Sequence, residues 1–277
     1  NNNNNNNSTT TSSSSSSSWI NNNNPFGAAV TDYLRGSNTR SKSTSKVGLC
    51  AIVKDASRYL DEWADYHLEA LDFTELFLYD NNEHFVLEEW ANNRRKAYAS
   101  NNNPSRNPPP KNVTALHVPG QDTIQWEYYD DCIQRFGHRV DYMGFMDDDE
   151  FLVLKSHHKT VADFLDDTLV PGSSLSINWR LFGSSNKTDY TPLPVLYRFQ
   201  YRLEEFLDPR VKTFVRPKDF LSMVTAHSVI LRQGKAEDGS EDIAADVLET
   251  PARRDTFGQA KMMPQNGIFN YHQPPLG

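Results

Sequence analysis

Two apolar runs with one amphipathic segment between them set the fold of this chain. Val47-Gly48-Leu49-Cys50-Ala51-Ile52-Val53 is continuously apolar, the pattern of a strand covered on both faces. Leu60, Trp63, Ala64, His67, Leu68 and Leu71 then recur at helical spacing and make one apolar face. Leu76-Phe77-Leu78-Tyr79 follows as a second buried strand. Strand, helix and strand in that order imply a parallel pair joined by a right-handed crossover. The expected fold class is α/β: a Rossmann-like mixed, mainly parallel sheet with helices on both faces. Ligands of such sheets gather beyond the carboxyl ends of the strands.

A third strand ends in acids. Tyr142-Met143-Gly144-Phe145-Met146 runs directly into Asp147-Asp148-Asp149-Glu150-Phe151. Burying carboxylates is costly unless something pairs them, and a divalent cation is a natural partner. In extended backbone Asp147 and Asp149 point to the same side. Two carboxylates on one side suit Mn²⁺ or Mg²⁺, hard ions that share oxygen ligands with substrate phosphates. A solvated acidic loop is the plain alternative. The run does not match an EF-hand loop, because Phe151 and Leu152 stand where that loop needs an oxygen ligand and Gly. Lys54-Asp55 and Asp80-Asn81 also close apolar strands, so three polar clusters are expected at one sheet edge.

Elsewhere the pattern is weaker. Asn92–Asn112 is rich in Asn and Pro and reads as an irregular surface loop. A helix is expected over Thr123–Phe136, with Asp122 and Gln125 as its capping pair. Leu175–Trp179, Val211–Val215 and Ser228–Leu231 read as later strands, and Gln233–Gln265 as a long polar loop. His67 lies on the apolar helix face and is assigned to packing.

Composition limits the rest. A formal net charge of −8 over 277 residues argues against nucleic acid as a partner. Residues 1–24 are nearly all Asn, Ser and Thr, which cannot bury enough apolar surface to offset the entropy of ordering. The chain divides into a disordered tail, residues 1–45, and one domain, residues 46–277. Cys50 and Cys132 are too few for a disulfide framework, and each is expected as a buried free thiol. No apolar run has transmembrane length and no signal peptide is present; the chain does not begin with Met and is expected to be a fragment. Asn7-Ser8-Thr9, Asn112-Val113-Thr114 and Asn186-Lys187-Thr188 fit the N-glycosylation pattern.

With these positions in hand, the chain resembles glycosyltransferase family 92 and the related family-2-like group. The resemblance rests on ordered blocks: Ala51–Asp55, Leu60–Trp63 with Tyr66-His67, Tyr79–Asn82, Gln125–Cys132, Asp147–Phe151, Trp179–Ser184 and Lys212–Pro217. It departs at Asp55-Ala56, where the family has Asn-Glu, around Ala70-Leu71-Asp72, where the family has a Gly, and at Tyr197, where Glu is frequent. The family also continues past an element like Asn270-Tyr271-His272, close to which this chain stops, so the C-terminal part of the site is expected to be cut short.

The resemblance implies a GT-A fold that moves a sugar from a UDP-sugar, galactose being a frequent one, to a glycan or glycoprotein acceptor with inversion. It implies work in the Golgi or secretory lumen, with a membrane anchor outside this piece. Asp147 and Asp149 would hold Mn²⁺ or Mg²⁺, with His272 as third ligand and His227 as its rival. Asp148 would face the donor sugar or ribose. Lys54 would meet the phosphates and Asp80-Asn81 the uridine, although an exposed Lys and a tight turn explain these residues equally well. Trp179, Phe182 and Gly183 would line an acceptor platform, or pack the core. Asp189 is the candidate general base, with Glu204 and Glu205 as rivals. A non-catalytic carbohydrate- or nucleotide-binding relic of the same fold is the alternative. A nucleotidyltransferase is disfavoured, because Lys54–Tyr59 contains no Gly-rich phosphate loop.

Overall fold

The computed structural model describes residues 43–55, 59–100, 110–120, 125–154, 158, 160–184, 189, 193–199, 201, 211–232 and 266–270. Strand β1 is Val47–Val53, and helix α1, Leu60–Asp65, continues into a π-helical turn, Tyr66–Ala70. Strand β2 spans Glu75–Asp80, helix α2 Leu87–Ser100 and strand β3 Asn112–His117. Helix α3, Gln125–Phe136, leads through a 3₁₀ turn at Gly137–Arg139 into β4, Tyr142–Phe145, and then β5, Glu150–Leu154. Next come α4, Val161–Thr168, β6, Ser174–Leu181, the short helix α5, Val195–Arg198, and β7, Val211–Val215. Strands β8, Phe220–Thr225, and β9, Ser228–Leu231, form a separate hairpin, and β10 covers Asn266–Asn270.

The main sheet has the order β3-β2-β1-β4-β7-β6-β10-β5. Strands β3, β2, β1 and β4 are parallel neighbours, and β7 runs antiparallel to both β4 and β6. Strand β6 therefore points the same way as β4. The carboxyl ends of β1, β2, β3, β4 and β6 share one edge, as the parallel pattern predicts.

Alternation along β1 and β2 divides the core. Leu49, Ala51, Val53, Leu76 and Leu78 pack with α1, α2 and α4, whereas Cys50, Phe77 and Tyr79 pack with α3 on the other face. The helices thus cover both faces of the sheet. Where β4 meets β7, the backbones come close: a Cβ on Gly144 would overlap the Phe214 ring, so only glycine fits there.

His67 is fully buried and pushed down to about 3 by burial, so it is a neutral packing residue, as expected. Its Nδ1 donates to Trp63 O at 2.8 Å, which leaves Nε2 to face the backbone N–H of Leu152 at 3.4 Å. Trp63 Nε1 donates to Glu150 O at 2.8 Å and the Tyr66 hydroxyl to Leu152 O at 2.7 Å. Side chains of α1 and its π-helical turn therefore satisfy the outer strand β5, in place of another strand.

Two expectations are corrected. The loop expected from Asn92 is helical as far as Ser100. Asn92 and Asn93 are weak helix formers, but tertiary contacts override them. Leu87, Ala91 and Tyr98 are buried, and Arg94 pairs with both Asp61 and Asp65 of α1. The two cysteines are not free thiols: Cys50 of β1 and Cys132 of α3 form a disulfide, with Cα atoms 6.6 Å apart. Counting cysteines could not reveal this, because the packing of α3 on β1 is what brings them together. The tail through residue 42 and the segment Gln233–Gln265 lie outside the described residues.

Candidate active site

The acidic run forms a turn, not a continuation of the strand. The backbone N–H of Glu150 donates to Asp147 O at 3.2 Å, and the N–H of Asp147 donates back to Glu150 Oε2 at 3.0 Å. This corrects the extended geometry expected for Asp147 and Asp149. Asp147, Asp148 and Asp149 are half-buried at the carboxyl end of β4, whereas Glu150 opens β5 and is fully buried.

Asp147 is held from two sides. Lys212 of β7, 1% exposed, places Nζ 2.8 Å from Asp147 Oδ2 and 3.0 Å from Glu150 Oε2. On the other oxygen, Gln125 of α3 donates through Nε2, and the Tyr129 hydroxyl lies 3.2 Å away. The Tyr129 hydroxyl also accepts from Gln125 Nε2 at 2.9 Å and lies 3.1 Å from Met146 O. Gln125 is thus part of the site rather than only the helix cap expected from sequence.

Charge is crowded here. Burial alone would raise Asp147, but the Lys212 charge, with hydrogen bonds from Lys212, Gln125 and Tyr129, holds it below its ordinary value. Burial and the neighbouring Asp149 and Asp147 push Asp148 up to about 7. Burial and Asp147 push Glu150 up to about 8 against the opposing pull of Lys212. Lys212 pairs with Asp147 and Glu150, while Asp148 and Asp149 add two more acids to the same turn, and a divalent cation would relieve that repulsion. Among the described residues no three His, Cys, Asp or Glu side chains form a ready metal cage. Hard carboxylate donors short of a full shell fit an Mg²⁺- or Mn²⁺-type ion that completes its shell on substrate phosphates.

Asp80 is fully buried and Asn81 nearly so. Asp80 Oδ1 accepts from the N–H of Asn82 at 3.1 Å and from its side chain at 2.6 Å, and Oδ2 accepts from Leu87 N at 2.8 Å. Asn81 Nδ2 donates to Val118 O at 2.8 Å. Asp80 thus serves the loop that enters α2, a turn role, whereas Asn81 ties the end of β2 to the chain just after β3. Asn82 also accepts from Asp55 N at 2.8 Å, and its carbonyl lies 3.0 Å from His117 Nε2, which knits the ends of β1, β2 and β3 together. Lys54 is exposed at the end of β1.

Trp179 lies within β6, paired in parallel register with Ile268 of β10, and its side chain is outside the described residues. Phe182 is buried in the core, and exposed Gly183 donates its N–H to Tyr201 O at 3.0 Å. Both follow β6 at the shared sheet edge. Asp189 is exposed beyond them. His227 sits in the turn between β8 and β9, where its carbonyl accepts from Thr213 Oγ1 at 2.6 Å. His272, Glu204 and Glu205 lie outside the described residues. Asn112, the first residue of a sequon, is half-buried in β3 and donates to Glu75 Oε2 at 3.1 Å. The other two sequons lie outside the described residues.

Lys212 is the site residue that sequence reasoning missed. It had a signal: a lysine inside an otherwise sheet-like segment, Val211–Val215, needs an acidic partner if the strand is buried. The sequence profile of glycosyltransferase family 92 matches residues 60–249. No curated protein sequence matches the chain with significance.

Proposed function

The chain belongs to glycosyltransferase family 92, and on that premise we propose a metal-assisted transfer of a sugar from a UDP-sugar donor, with UDP-galactose a leading choice, to a glycan or glycoprotein acceptor. The carrying observation is the crowded, half-buried acidic turn at the carboxyl end of β4, whose Asp147 is oriented by Lys212, Gln125 and Tyr129. Asp149 and Asp147 would hold Mn²⁺ or Mg²⁺, with His272 as a third donor. When bound, that ion would neutralise the diphosphate as the leaving group. Lys54 would add a positive charge to the same phosphates, and Asp148 would accept hydrogen bonds from the ribose or the donor sugar. Asp80 and Asn81 act as scaffold, holding the ends of β2 and β3 where the nucleotide would lie.

Inverting transfer requires a base that takes the acceptor hydroxyl proton as the hydroxyl attacks. Asp189 is assigned that part because it closely follows Phe182-Gly183-Ser184 in sequence and is exposed. Trp179 and Gly183 would line the acceptor side. The Cys50–Cys132 disulfide supports assembly in an oxidising compartment such as the secretory lumen. No helix among the described residues is long and apolar enough to cross a membrane, so an anchor would lie elsewhere in the protein.

Calorimetric titration of UDP tests the reading. The expected result is binding in the presence of Mn²⁺ that is lost in EDTA. Equal binding in both conditions, or none in either, would overturn it.

A further inference from the structure

Lys212 does not reach solvent, so it cannot touch a donor or an acceptor. It reaches the two ends of the acidic turn instead, Asp147 Oδ2 at 2.8 Å and Glu150 Oε2 at 3.0 Å. Its strand is fixed independently of that contact. Ile177 of β6 lies beside Lys212 in register, and Phe214 pairs with Gly144 of β4. The rigid centre of the sheet therefore delivers a cation to the end of β4. A buried lysine loses its hydration and has many rotamers to give up, so a fixed position needs geometry of this kind.

We propose that Lys212 is a positioning residue: it clamps Asp147 in the orientation needed at the donor site, and so acts on donor binding through Asp147 without touching the donor. The inference rests on the reading of the turn as the UDP–metal site. Asp147 then takes a fixed direction from three partners, Lys212 on one oxygen and Gln125 with Tyr129 on the other. Of roughly four acceptor positions on a carboxylate, such an arrangement leaves about one for an incoming ligand. Partners that orient a metal ligand in this way contribute roughly 10- to 100-fold in affinity.

The sign of the effect separates this role from simple charge balance. Removing a lysine makes the turn more negative, and Coulomb attraction alone would then tighten Mn²⁺ binding. Loss of the clamp weakens it. The test compares Glu150→Gln with the double variant Lys212→Met/Glu150→Gln, by Mn²⁺-dependent UDP calorimetry, with thermal unfolding followed in parallel. Glutamine can still accept the N–H of Asp147, and methionine fills the lysine stem. Removing both charges avoids leaving one buried charge without its partner.

The double variant is expected to unfold as one cooperative unit and to bind UDP–Mn²⁺ about tenfold or more weakly than Glu150→Gln alone. In an Asp147→Asn background, Lys212→Met should add no further loss, because the two act as one unit. A folded double variant that binds as tightly as Glu150→Gln, or more tightly, would overturn the role of Lys212. An additional loss in the Asp147→Asn background would overturn the route through Asp147. Failure of the wild type to bind UDP with Mn²⁺ would instead overturn the reading of the site on which the inference rests.

Discussion

Asp149→Asn should abolish measurable sugar transfer, with a fall in turnover of about 100-fold or more, while leaving the fold intact. The two halves of that expectation have separate causes. Asp149 stands on a turn closed by the Glu150 N–H on Asp147 O and by the Asp147 N–H on the Glu150 carboxylate, two bonds that do not use the Asp149 carboxylate. Replacing a carboxylate by an amide of the same shape removes a charged oxygen donor from the proposed metal shell. A direct donor should cost at least as much as the roughly 10- to 100-fold found for groups that merely orient one. Stability should move the other way. Asp149 raises Asp148 by like-charge repulsion, added to the effect of burial, so the metal-free variant should unfold at a temperature no lower than the wild type. An active site that stores repulsion in its metal-free form commonly shows this exchange of stability for function. Assays of Mn²⁺-dependent turnover and thermal unfolding on the same preparation check both parts. Retained turnover would remove Asp149 from the site, and a large loss of stability would show that it is a fold residue.

The second large effect concerns the disulfide. Cys50→Ala/Cys132→Ala should lower stability by about 4–5 kcal/mol, because the bond closes a loop with a sequence separation of 82. For a domain of this size that corresponds to a fall in Tm of about 10 °C or more. The local consequence is as informative as the global one. Cys132 lies on α3, and the same helix carries Gln125 and Tyr129 to Asp147. Releasing α3 from β1 should loosen the Asp147 clamp, so UDP–Mn²⁺ affinity should fall even at temperatures where the variant is folded. Both sulfurs are fully buried in the second core cluster, so the substitution is a cleaner probe than added reductant. An unchanged Tm, with two thiols titrating in denatured wild-type protein without reductant, would contradict the linkage.

What the sequence made legible follows from where burial is simple. Strands β1, β7 and β9 were readable at their observed boundaries. In β1 every residue is apolar, as expected of a strand between two helical layers. The parallel β1–β2 pair with helices on both faces, and the gathering of Lys54, Asp80 and Asp147 at one edge, follow from that order alone. Helix α2 was hidden because Asn92 and Asn93 are weak helix formers, while burial of Leu87, Ala91 and Tyr98 and the long-range pairing of Arg94 with Asp61 and Asp65 appear only in the folded chain. Strand β5 was hidden because it opens with Glu150, a residue that is tolerated there through Lys212. Asp147 and its neighbours were found as a cluster, but their arrangement was not. Extended spacing placed Asp147 and Asp149 side by side, whereas the structure bends the run into a turn and binds Asp147 to three side chains from α3 and β7. Those partners lie 22, 18 and 65 residues away in sequence, so only the folded sheet could assemble them.

The most direct measurement of the central claim is UDP release from a panel of UDP-sugars, UDP-galactose included, offered with glycan acceptors in Mn²⁺ and in EDTA. The account predicts release from at least one donor that requires both acceptor and Mn²⁺, stops with EDTA and returns when Mn²⁺ is restored. Release that proceeds equally in EDTA, or no release from any donor by protein shown to be folded, would contradict it.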